Sequence, residues 1–154
     1  MNENMRLCIL IADGEHARLL RPDDNNLLHV ANYFDSATAH LMAHDLVSDR
    51  PGRTFESARP GSHGIVPRHD PHQIEKKTFA QFVARQLCLA AANDAFDRLV
   101  LVAPAHVLND IETALDEPTL QKVVGRLAKD VVKVPNYALS RHLHQWVVAP
   151  HRVM

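Results

Sequence analysis

The sequence predicts a mixed α/β domain: an antiparallel meander first, then alternating helices and strands, giving a mixed sheet with helices on both faces. Three observations predict it. Leu7 to Ile11 is an unbroken apolar run, as expected of a central strand buried on both faces. Asp97 to Ala103 repeats that character late in the chain and is stopped by Pro104. Between them, apolar residues recur at helical spacing from Ile74 to Ala91.

Taken in order, the first strand spans Met5 to Asp13, and Asp13-Gly14 is a turn signal. His16 to Arg21 is the second strand. The polar cluster Asp23-Asp24-Asn25-Asn26 turns the chain into a third, Leu27 to Phe34. Ala37 to Val47 is a helix candidate with Ser36 as its N-cap. From Ser48 to Asp70 the periodicity dissolves among Pro51, Gly52, Pro60, Gly61, Gly64 and Pro67; a loop of that length in a compact domain is functional or mobile. The main helix then starts with Asp70 as N-cap and Pro71 at the first helical position, and runs to about Asn93. After the Asp97–Ala103 strand, Val107 to Leu115 and Pro118 to Val124 read as helices, broken around Asp116-Glu117-Pro118. Arg126 to Val134 reads as a strand through its Val-Val-Lys-Val end, and Tyr137 to Trp146 as a closing helix. One domain over 5–148 is expected, with a long loop at 49–70 and flexible ends at 1–4 and 149–154.

A chain of 154 residues with 46% hydrophobic and 23% charged residues can bury a full core, which argues against global disorder. Seventeen Lys+Arg against eighteen Asp+Glu leave a net charge of −1, so a nucleic-acid case must rest on local patches. The first apolar run is too short for a signal sequence or a membrane helix. The expected location is cytoplasmic, with no membrane partner. Cys8 and Cys88 sit in apolar patterns and read as free thiols; no C-x-x-C offers zinc or redox chemistry.

The strongest local charge lies between residues 50 and 77. Arg50, Arg53, Arg59, Arg68, Lys76 and Lys77 face only Glu56, Asp70 and Glu75 there, with His63 among them. Arginines on a glycine-bearing loop beside a helix N-terminus suit phosphate; the same charges also suit a solvated loop. Asp49 with Arg50 and Arg53 can equally pin the loop base as an ion pair. A metal reading would use His63, His69 and His72, with Asp70; His142 and His144 form a second pair that diverges on a helix. A nuclease reading would need Asp13, Asp97 and Asp130 to converge on divalent metal. No Gly-x-Ser-x-Gly elbow, Walker motif or Gly-x-Gly-x-x-Gly is present, so no cofactor is expected.

Three runs carry a family resemblance: Leu46 through Asp49-Arg50-Pro51-Gly52-Arg53 to Phe55, Arg68-His69-Asp70-Pro71-His72 with Glu75 and Phe79-Ala80, and Phe96-Asp97-Arg98-Leu99 to Pro104. Ala17-Arg18-Leu19-Leu20 and Ala128-Lys129-Asp130 add to them. In order and spacing, from about 6 to 145, the chain resembles the bacterial family of proteins required for attachment to host cells. That family is grouped with Pelota-like middle domains of archaeo-eukaryotic release factors. The resemblance implies a ribonuclease-H-like fold and a tie to ribosomes or tRNA, with the release-factor tip corresponding to the loop from Asp49 to Asp70. That tip is Gly-Gly-Gln, which this sequence lacks; Pro60-Gly61-Ser62-His63-Gly64 stands there. The resulting expectation is a non-enzymatic RNA- or ribosome-associated domain, contacting phosphate through Arg50, Arg53, Arg59, His63, Arg68 and Lys76. The alternatives are a cytosolic protein-interaction factor affecting attachment, and a metal-dependent hydrolase using His and Asp residues.

Overall fold

A computed structural model describes residues 6–41, 71–143, 145 and 146, with the backbone alone at 71–75. Its centre is a five-stranded mixed sheet in the order β3-β2-β1-β4-β5. The strands are β1 (Leu7–Ala12), β2 (His16–Pro22), β3 (Leu28–Asp35), β4 (Arg98–Ala103) and β5 (Val123–Ala128). β2 runs antiparallel to β1 and β3, whereas β4 and β5 run parallel to β1. This arrangement is compatible with a ribonuclease-H-like sheet.

The apolar runs explain the order. Every residue of β1 is buried, and so is β4 after Arg98, because both strands are flanked by strands and covered on both faces. β3 exposes five consecutive residues and is an edge. Its turn is built by Asp23, whose Oδ1 accepts from the amides of Asn25 (2.8 Å) and Leu27 (3.0 Å). Asn26 takes the left-handed conformation there (φ 64°), which asparagine tolerates better than most residues.

Among the described residues two long α-helices cover one face of the sheet: α1 (Pro71–Ala92) and α2 (Ala105–Ala114). Phe79, Val83 and Leu87 of α1 and Ile111 of α2 pack there on Cys8, Leu10 and Leu101. α1 ends in a Schellman motif. Asp94 is left-handed (φ 61°), its amide donates to the Ala91 carbonyl, and the Ala95 amide reaches back to Ala90 (2.9 Å). A short helix, α3 (Glu117–Leu120), is capped by Asp116, whose Oδ1 accepts from the Thr119 amide.

Among the described residues the other face carries a 3-10 helix and no α-helix. Segment 131–143 and its 3-10 helix (Asn136–Arg141) cover Ile9, Ile11, Val100 and Val102 with Val131, Leu139 and Leu143. Arg18 holds this strap. Its guanidinium donates to the carbonyls of Val132 (2.9 Å) and Val134 (2.8 Å), more weakly to Val131, and to Asn136 Oδ1 (2.7 Å). The Trp146 indole packs against Gly125 of β5, where any Cβ would collide with it.

Four expectations change. The last strand is Val123–Ala128, so Val123 and Val124 belong to it rather than to a helix, and Val-Val-Lys-Val lies beyond it in the strap. The closing helix is a six-residue 3-10 helix, Asn136–Arg141, rather than an α-helix from Tyr137 to Trp146. The helix over 118–124 shrinks to α3. At 36–41 the chain is helical, but Asp35 caps it, accepting from the Thr38 amide (2.8 Å), and not Ser36. The expected loop at 49–70 lies outside the described residues, as do both chain ends.

Candidate nucleic-acid interface

The sheet's parallel strands define two ends. At their carboxyl end the chain leaves β1 through Asp13-Gly14, β4 through Pro104 and β5 through Lys129-Asp130. α1, which returns to β4, begins at this end, and so does α2. Both helix N-termini therefore bring the positive ends of their dipoles to it. Pro104 precedes α2 and supplies no side-chain cap.

Lys76 is the one expected phosphate ligand among the described residues. It is exposed, and its stem lies over the β1–β2 turn: a Cβ built on Gly14 would sit 2.8 Å from Lys76 Cγ and 2.9 Å from Cδ. Glycine at 14 thus leaves room for the lysine to cross the end of the sheet. Lys77, Gln81 and Arg85 follow on the exposed side of α1. Arg50, Arg53, Arg59, His63, Arg68 and His69 lie outside the described residues, as does the His72 side chain.

The carboxylates do not gather. Asp13 Oδ1 accepts from the amides of Glu15 (2.8 Å) and His16 (2.7 Å), closing the turn. Asp130 follows β5 at the same end. Asp97 stands at the opposite end, ahead of β4, where its carboxylate accepts from the Arg6 amide (2.7 Å) and guanidinium. The Arg6 side-chain hydrogen bond holds Asp97 below the usual carboxylate range. Among the described residues no three His, Cys, Asp or Glu side chains are placed to hold a metal ion. Cys8 is fully buried and its thiol is pushed up by that burial, against an opposing pull from Arg21. Cys88 accepts from the Asp116 amide through Sγ (3.4 Å). None of the described helices is long and apolar enough to cross a membrane.

Two features had little signal in the sequence. Arg18 sits in an ordinary strand pattern, and only the strap's position reveals its four acceptors. Tyr137 is 85% exposed and Tyr33 is 51% exposed, beside an exposed Val30; the 3-10 helix lies against β3.

Among solved structures, an archaeal protein aligns with a TM-score of 0.51, at 13% identity, over 95% of this chain and 35% of its own. That is a likeness of fold, and the chain spans about a third of that protein's length. No curated protein matches the chain. The family described as "Protein required for attachment to host cells" matches residues 8–143, and the chain belongs to that family.

Proposed function

We propose that this family member is a non-enzymatic RNA- or ribosome-associated domain of the cytoplasm, with phosphate contact at the entry to α1. The observation that carries the reading is Lys76. An exposed cation crosses the sheet end where two helix N-termini also point, beside a stretch of sequence rich in arginine. The grouping with Pelota-like release-factor domains belongs to the same proposal, and the strand order is compatible with it. An effect on attachment would then arise through translation. Co-sedimentation with purified ribosomes and filter binding of tRNA test this. Binding that weakens as salt rises supports it, because counterion release drives phosphate contacts. Absence of binding to both at low salt would retire it.

A second reading, a protein-interaction factor, is favoured by the exposed Val30, Tyr33 and Tyr137, since tyrosine is enriched at interfaces. If a Tyr33→Ser/Tyr137→Ser variant keeps every protein partner that the wild type captures, this surface is not the one used.

A further inference from the structure

We propose that the phosphate-contacting surface continues along the outer face of α1 through Lys77, Gln81 and Arg85, and that this track takes the backbone of single-stranded RNA. The inference rests on the RNA-associated reading above and gives it a path. The three side chains recur every four residues and all are exposed. At about 1.5 Å per residue the stripe from Lys77 to Arg85 is about 12 Å long, room for a stretch of backbone rather than one phosphate. Leu89, one turn further and 53% exposed, offers an apolar contact for a sugar or base.

Beyond Asp70 and Glu75 at its start, the charge arrangement runs against what the helix itself would favour. A helix dipole is complemented by acids in the first turn and bases in the last. α1 has no acid in its first turn, lysines at 76 and 77 near its positive end, and no base in its last turn. From 76 to 92 it carries Lys76, Lys77 and Arg85 and no carboxylate. The positions four residues from Lys77 and Arg85 are Gln73, Gln81 and Leu89, so no intrahelical ion pair compensates them. Neither cation has an ion pair among the described residues. Among the described residues no carboxylate compensates these charges; a bound polyanion would.

The test is the binding of oligo(U) of about 15 nucleotides, within the span of known single-strand sites, to the full chain across a salt series. A Lys77→Gln/Arg85→Gln variant should bind more weakly. Its slope of log K against log salt should shrink by about 0.7 for each lost single-strand contact, about 1.4 for the pair. A Lys77→Arg/Arg85→Lys variant should keep the wild-type slope, and circular dichroism should show both variants folded. An unchanged slope in the Gln variant, with a reduced slope in an Arg53/Arg59/Arg68→Ala variant, would overturn the track and leave the RNA reading standing. No oligo(U) binding by the wild type at low salt would overturn the track alone if tRNA or ribosomes still bind, and the RNA reading with it if they do not.

Discussion

Replacing Arg18 with methionine should release the strap from the sheet. Methionine keeps most of the aliphatic stem, so the perturbation is the loss of the guanidinium. Two main-chain carbonyls at 2.8 and 2.9 Å and the Asn136 amide oxygen at 2.7 Å lose their donor. Hydrogen bonds from a charged donor are worth about 1.5–3 kcal/mol each, but these groups are only partly buried and water can replace part of each bond. At about 1 kcal/mol apiece, the expected loss is about 3 kcal/mol. Arg18→Lys should recover about a third of it, since one ammonium cannot span acceptors placed for a planar fork. Urea unfolding measures the total: at a slope of about 2 kcal/mol/M, the midpoint falls by about 1.5 M. Trp146 is the only tryptophan, lies just past the strap and packs against the same core, so its fluorescence reports locally. Its emission should shift to the red in the native variant. A loss below about 1 kcal/mol with unchanged emission would show that Val131, Leu139 and Leu143 hold the strap unaided, and would refute the staple.

Gly125→Ala should displace the Trp146 indole and cost about 1–3 kcal/mol, as overpacking does, with most of that cost absent in a Trp146→Ala background when the two are combined in a double-mutant cycle. Gly14→Ala should change stability by less than about 0.5 kcal/mol, because the atoms it meets belong to an exposed, flexible lysine stem; thermal unfolding checks this. Asp97 is held below the usual carboxylate range by Arg6, so its stabilising effect is present above about pH 4, its unfolded value, and is lost as pH falls further toward the folded one. Asp97→Asn should therefore lower stability at neutral pH and flatten the acid limb of the stability–pH profile, and an unchanged limb would count against the Arg6 pairing.

The parts of the fold that sequence patterning revealed are those whose burial is continuous. β1 and β4 are apolar throughout because both faces are covered, and α1 repeats its apolar residues where it packs on the sheet. β5 was hidden by its own packing. Gly125 weakens its strand signal, yet glycine is required there because Trp146, twenty-one residues on, occupies the space of a side chain. Val131 to Val134 imitates a strand, but its carbonyls are satisfied by Arg18 across the sheet, which no local pattern encodes. The candidate interface was legible through charge: Lys76 follows from the basic excess, whereas its seat on Gly14 needs the turn and the helix brought together. The carboxylates illustrate the converse. Asp13 and Asp97 each end or precede a strand in sequence, and the strand directions put them at opposite ends.

The central claim is contact with RNA through the basic stretch before and at the start of α1. Its most direct test is RNA and ribosome binding by the wild type and by Arg53/Arg59/Arg68→Ala, followed from about 50 to 200 mM salt. The account predicts wild-type binding that falls steeply across that range and a variant whose binding is weak throughout with a shallower slope. Wild-type binding that ignores salt, or a variant that binds as well as the wild type, would contradict it.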